Sequence, residues 1–396
     1  MSAKFIGGIL MIVGTSIGGG MLALPVANAA TGFWLSSLCL FACWTLMTLG
    51  AFFILEVNLY LPPGKNMISM AAATLGRPGL LITWITYLLL LYSLLSAYIS
   101  GGADMLGYFF ETIGFPLYAW QSTLIFTSIF GLITFGGIRP VDLCNRALMF
   151  AKLLAYFTLI GCISPHINSH YLQGVDYYAS IKTLSLLITS FGFAIIVPNL
   201  RDYFRNDLPS LKRILLIGSL IPLICYLAWD AVIMGTVPRE GTNGLAMLVH
   251  SEHTNSVLAT LLSLNVHSSV ISRLFEFFSA ICVLTAFLGV SLALNSFLAD
   301  GLNLSKKGRQ GAALFLLTFS PPLYLVILWP GIYIHALNYA GFFCIILLLL
   351  LPALMAYYGR KQFRPLFTVP GGKKLQIALI LVALGLLVNF LLEPHL

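Results

Sequence analysis

The chain is a succession of apolar runs, each long enough to cross a bilayer. Short polar or Pro/Gly clusters such as "LPPGKN", "GGIRPVD" and "SKKGRQG" divide them. A spanning helix needs about 20 apolar residues. Such runs fall at 5–30, 33–58, 80–108, 119–137, 148–166, 181–200, 211–237, 270–299, 311–329, 332–357 and 374–393. In hydrocarbon each backbone N–H and C=O must be satisfied within its own segment, so runs of this kind become helices. The expectation is an all-α integral membrane protein of eleven spans. The loop 238–269 ("REGTNG", "HSEHTNS") is too polar to span and predicts short amphipathic pieces. Charged residues make up 9% of the chain, against about a quarter in soluble domains, which points the same way.

Charge placement sets the expected orientation. With eleven spans, all but Lys182, Arg239 and Arg273 of the 21 lysines and arginines fall on one side. The positive-inside rule puts that side, and the N-terminus, in the cytoplasm, with the C-terminus outside. The net charge of +8 comes from basic residues scattered singly between apolar runs, which excludes a nucleic-acid-binding face. The seven cysteines are odd in number, form no CxxC pair and read as small buried hydrophobes. The histidines His166, His170, His250, His253 and His267 lie apart in loops. No metal site and no cofactor is expected. Lys4 and "ANA" at 27–29 resemble a cleavable signal, but Gly18–Gly20 and Pro25 interrupt what would be its apolar core.

The first span carries "GTSIGGGMLALP" at 14–25, poor helix formers where a helix is required. Its "TSIGGGMLALP" is echoed by "TSFGFAIIVP" at 189–198, in the sixth span. Five spans apart, the two segments would cross in opposite senses, the mark of an inverted repeat. The halves would be 1–166 and 181–357, with an added helix at 374–393. Broken helices are tolerated in a membrane only where the freed backbone faces protein or a water-filled cavity. Half-helix ends then aim N–H groups at an anion and carbonyls at a cation, and an α-amino acid has one of each. The candidate substrate-binding residues are Gly14, Thr15, Ser16, Gly18, Gly19 and Gly20, with Thr189, Ser190, Phe191, Gly192 and Phe193. Tyr98 and Ser96 are added from the third span. The plainer reading of the glycines is a small-residue packing face. Three consecutive glycines line no single face, which favours unwinding.

"VGTSIGGGMLALPVANAATGFW" followed by "SFGFAIIVPNLRDYF" resembles the bacterial hydroxy/aromatic amino-acid permeases of the amino acid–polyamine–organocation superfamily. The resemblance implies a LeuT-type 5+5 inverted repeat with broken helices 1 and 6 plus an eleventh helix. It further implies proton-driven import of an amino acid across the bacterial inner membrane. "GIRPVDLCNRALMFAKL" resembles a superfamily pattern in which Gly137, Asn145 and Lys152 keep the spacing. On that resemblance Lys152 stands where sodium-coupled relatives bind sodium, and is the candidate ion-coupling group. The alternative is a lysine snorkelling to the headgroups. Ala194 departs from the polar residue or histidine expected in aromatic permeases.

Other polar groups inside the spans are functional candidates by default. Asp230 lies deep in span 7 and is a candidate for proton movement or gating, or else a paired structural carboxylate. Ser291, Asn295 and Ser296 on span 8 are placed to reach the first break and Lys152, or else to join helices. Glu56 and Asp104 lie near span ends, and Glu276 is expected to pair with Arg273. Both breaks lack carboxylates and histidines, which disfavours a metal carrier. No depth gathers the acid, base or metal groups an enzyme would need. The sequence reading is a monomeric symporter of an aromatic amino acid, tyrosine first and tryptophan second. A serine/threonine proton symporter and a sodium-coupled amino-acid symporter are the alternatives.

Overall fold

The computed structural model describes residues 3–136, 138–241, 244–251, 253–364 and 366–392. Gly137, the first member of the spaced triplet above, lies outside them. The described residues form fifteen α-helices, joined by loops and short 3-10 or π segments. α1 (Ala3–Ser16) and α2 (Gly19–Asn28) meet at a bend of 52°. α3 (Phe33–Asn58), α4 (Met67–Thr112), α5 (Ala119–Phe135) and α6 (Ile138–Ile163) follow. α7 (Tyr177–Ser190) leads through a 3-10 turn, Gly192–Ile196, into α8 (Val197–Phe204). Then come α9 (Leu208–Thr236), α10 (Thr254–Val266), α11 (Ser269–Leu302) and α12 (Gly308–Leu328). α13 (Tyr333–Cys344) passes through a π segment, Ile345–Leu350, into α14 (Leu351–Gln362), and α15 (Gly372–Leu392) closes the chain.

Local chemistry sets many of these boundaries. Asn66 caps α4 by accepting from Ser69 N at 3.0 Å, and Asp176 caps α7 through the N–H groups of Tyr178 and Ala179. α8, α10 and α11 each end on a residue in the left-handed region: Arg205, His267 and Asn303. α4 turns at Gly76, whose φ of 72° favours glycine, with Pro78 just beyond.

Among the described residues nine helices are long and apolar enough to cross a membrane, and the bent pair Lys4–Ser16 with Gly19–Asn28 makes a tenth. The expected span at 119–137 corresponds to α5, which is apolar but only 17 residues long. The polar segment 238–269 holds a 3-10 turn, Leu245–His250, and α10. α2 is entirely buried and packs against α7, α9, α11 and α13. α1 packs on α9 and on the 3-10 turn after α7. The two irregular segments therefore lie at the centre, with the other helices around them.

Candidate functional site

The bend between α1 and α2 leaves the carbonyls of Ser16 and Ile17 without a regular helical partner, and each is answered by a side chain from elsewhere. Tyr226 Oη on α9 donates to Ser16 O at 2.6 Å. Lys152 Nζ on α6 donates to Ile17 O at 2.6 Å. Met21 N takes Gly18 O at 3.2 Å. Tyr333 Oη on α13 donates to Gly19 O. Buried backbone groups are nearly always paired. Here much of the pairing comes from side chains far along the chain, so the unwound shape depends on the tertiary structure.

The end of α7, where the 3-10 turn begins, lies against this bend. Tyr226 Oη also lies 2.8 Å from Ser190 O, the last carbonyl region of α7. A Cβ added at Gly20 would sit 3.3 Å from Ser190 Oγ. A Cβ at Gly19 would press to 2.6 Å from the Tyr98 ring, so only glycine lets α4 come this close. Phe191 and Phe193 are fully buried, and Phe191 packs on the Tyr226 ring at 5.2 Å between centroids. Ser16 Oγ and Ser96 Oγ are buried with no partner.

Most of the expected residues converge here, with exceptions. Gly14 faces the Met149 side chain of α6. Thr15 is turned outward, its hydroxyl donating to Met11 O at 2.7 Å, because one residue of helix rotates it away from Ser16. Thr189 Oγ1 is engaged with the carbonyls of Ser185 (3.0 Å) and Leu337 (2.9 Å), and Gly192 faces Cys344.

Lys152 does not snorkel. It is 1% exposed, with Nζ on Ile17 O and 3.5 Å from Thr285 Oγ1 of α11. The span-8 expectation needs correction, because Ser291, Asn295 and Ser296 do not reach this point. Ser291 Oγ pairs with Thr134 Oγ1 at 2.8 Å, Asn295 Nδ2 lies 3.4 Å from Thr318 Oγ1, and Ser296 accepts from Lys306. From Thr285 to Ser291 the helix rises about 9 Å, which carries the later residues past the break. Ser291 and Asn295 join α11 to α5 and α12, and Ser296 holds the loop after α11.

Asp230 is fully buried and apart from Lys152. Asn28 Nδ2 at the end of α2 donates to its Oδ2 at 2.7 Å, while Oδ1 has no partner. Asp104 accepts from Asn255 N, Ser256 N and Ser256 Oγ at the start of α10, and from His253 Nδ1 at 3.1 Å. It lines a cavity of about 330 Å³ between α4, α5 and α10 that no break residue reaches. Glu56 is bound by Arg360 through two contacts of 2.6 and 2.7 Å, and by Tyr60 and Val369 N. Glu276 accepts from Ser272 Oγ at 2.9 Å rather than pairing with Arg273, a further correction.

Residues 1–391 match the tryptophan/tyrosine permease family. The chain belongs to that family. It is 33% identical over 391 residues to a tryptophan-specific transport protein of Pseudomonas aeruginosa, covering 96% of this chain and 92% of that one. Identity to the tyrosine-specific transport system 1 of Haemophilus influenzae is 31%, covering 98% and 96%. For system 2 of the same organism it is 28%, covering 98% and 97%. The protein is thus a multi-pass membrane permease and not an enzyme.

Three side chains at this permease's break were not singled out by the sequence: the donors Tyr226 and Tyr333, and Thr285, which accepts from Lys152. Tyr226 precedes Asp230 by four residues, so the two share a face of α9, and the buried carboxylate was the available signal. Tyr333 and Thr285 sit among apolar neighbours with no comparable mark.

Proposed function

We propose that this permease is a secondary active transporter that imports an aromatic amino acid with a proton across the bacterial inner membrane. Tyrosine is the first candidate substrate and tryptophan the second. The proposed architecture is a LeuT-type 5+5 inverted repeat, 1–166 and 181–357, with the 374–393 helix added. It has eleven spans, broken helices 1 and 6, a cytoplasmic N-terminus and a periplasmic C-terminus. The proposed active unit is a monomer. The names of the relatives support the substrate class. The observation that carries the coupling is Lys152, buried with its ammonium on Ile17 O of the first break.

The proposed chemistry follows from that contact. A protonated Lys152 holds the break by a charge-assisted hydrogen bond, roughly twice as strong as a neutral one. Loss of the proton weakens the hold on the segment that contacts substrate. Ion pairs among the described residues lie elsewhere, at Glu56–Arg360, Asp104–His253 and Arg239–Glu240. Lys152 Nζ is held by a carbonyl and a hydroxyl oxygen, and a cation in that place takes the role a sodium ion would otherwise fill. The aromatic wall is proposed to be Phe191, Phe193 and Tyr98, beside Gly18, Gly19, Gly20, Ser16 and Ser190.

The test is uptake of labelled tyrosine and tryptophan into liposomes under an inward proton gradient, then an inward sodium gradient. Serine is tested as a competitor. The expected result is proton-driven uptake that each aromatic amino acid blocks and serine does not. Uptake driven by sodium alone overturns the Lys152 role, and competition by serine alone moves the substrate to the hydroxy amino acids.

A further inference from the structure

On one flank of the molecule α4, α5 and α11 part to leave a groove of about 430 Å³. Its α11 wall follows helical spacing: Arg273, Glu276, Phe277, Ala280 and Leu284. From Arg273 to Leu284 a helix rises about 16 Å, the depth of one leaflet in a hydrocarbon core of about 30 Å. The Phe126 ring seats against α4 because position 102 is glycine, where a Cβ would lie 2.2 Å from it. Phe109 and Phe277 also line the groove, and each is more than half exposed, so it opens outward. On the flank of a membrane permease the surroundings are lipid.

Apolar walls alone select nothing there, because lipid tails are as apolar as the side chains they touch. The two charged residues do select. Arg273 is one of the three basic residues that the eleven-span count sets apart from the others. The other two have partners within the chain. Lys182 Nζ lies 4.6 Å from the Tyr178 ring centroid, and Arg239 lies 3.5 Å from Glu240. Among the described residues Arg273 has neither a hydrogen bond nor an ion pair. Glu276 accepts from Ser272 through Oε1, and its Oε2 has no partner among the described residues. Three residues apart, Arg273 and Glu276 are neighbours on one face of α11. A cation and an anion side by side at an apolar groove match a zwitterion with a hydrocarbon tail.

We propose that this groove binds phosphatidylethanolamine, with an acyl chain along α11, the phosphate on Arg273 and the ammonium on Glu276. A guanidinium fits phosphate oxygens in bidentate geometry. Two carbons separate the phosphate ester from the amine, a short tether suited to a neighbouring pair of charges. The other common headgroups satisfy only one of the two residues. Phosphatidylglycerol brings no cation to Glu276. The quaternary nitrogen of phosphatidylcholine has no N–H to donate. The lipid supplies the partners that Arg273 and Glu276 lack within the chain. The inference rests on the membrane-permease assignment and not on the substrate or the coupling ion.

The test is native mass spectrometry of the full chain, delipidated in detergent and titrated with the three phospholipids carrying identical acyl chains. The wild type is expected to hold one phosphatidylethanolamine at about tenfold lower concentration than either other lipid, the difference typical of a hydrogen bond to a charged group. Arg273→Gln should weaken that binding about tenfold. Glu276→Gln should abolish the preference over phosphatidylglycerol. Ala280→Trp, which fills the groove, should displace all three lipids. Equal binding of the three lipids by the wild type overturns the headgroup assignment, and this comparison needs no variant. A phosphatidylethanolamine adduct that Ala280→Trp retains at wild-type strength overturns the groove as the site. A wild-type dimer that Ala280→Trp dissolves puts a second copy of the chain in the groove, and that also overturns the proposal.

Discussion

At the scale of single residues, Lys152 has the most to lose by substitution. Its ammonium answers a carbonyl that the bend at the first break has freed. Lys152→Met keeps the length and apolar stem and removes the donor. Leaving Ile17 O unanswered costs about 1–3 kcal/mol, so a modest fall in thermal midpoint is expected. Transport is expected to change more sharply. Accumulation driven by a proton gradient should fall to the level seen without one, while exchange of internal for external substrate persists. Counterflow measured beside gradient-driven uptake checks this, and a variant that still accumulates substrate ends the Lys152 role. The sequence marked Lys152 through the resemblance of its spacing from Gly137 and Asn145 to a superfamily pattern. It did not mark Thr285 or Tyr333, since a hydroxyl in a membrane helix is common and bonds its own helix as readily as another. Ser291 illustrates the same limit. It was as plausible a partner for Lys152 by composition, and only the rotation and rise along α11 separate it from Thr285.

At the scale of elements, two buried carboxylates fasten helices to one another. Asp104 on α4 supplies the cap that α10 lacks, accepting from Asn255 N at 3.0 Å and Ser256 N at 3.3 Å. Helix capping is worth about 0.5–2 kcal/mol. Asp104→Ala should therefore speed amide exchange at Asn255 and Ser256 by about tenfold while leaving the spans protected. Unchanged exchange there would show that α10 does not depend on this carboxylate. Glu56 on α3 joins α14, through Arg360, to the segment entering α15, through Val369 N. Arg360→Met leaves a fully buried carboxylate without its cation, at a cost of about 3–5 kcal/mol. The double variant with Glu56→Gln should recover part of that loss in thermal unfolding. Equal instability of single and double variants would contradict the pairing argument. The positions of most helices were legible from apolar runs and their polar punctuation. The faces they turn inward were not, because a helix apolar on all sides carries no stripe to orient it.

At the scale of the whole molecule, the orientation hangs on α5. Its 17 residues rise about 26 Å, a few ångströms less than a hydrocarbon core of about 30 Å. Local thinning of the bilayer meets such a mismatch at modest cost. Tyr118 and Trp120, both exposed at the start of α5, are the residue types that anchor a helix at the interface. The segregation of lysines and arginines holds only if α5 crosses, since omitting it would reverse every later segment. The prediction uses single cysteines in a background with the seven native ones replaced. Lys65→Cys, Ser169→Cys and Ser305→Cys are placed at exposed positions between helices. A membrane-impermeant maleimide added to spheroplasts should label position 169 and spare 65 and 305. Labelling at 305 with 169 spared would mean that α5 does not cross. The inverted repeat would then fail with it, because the first and sixth spans would cross in the same sense.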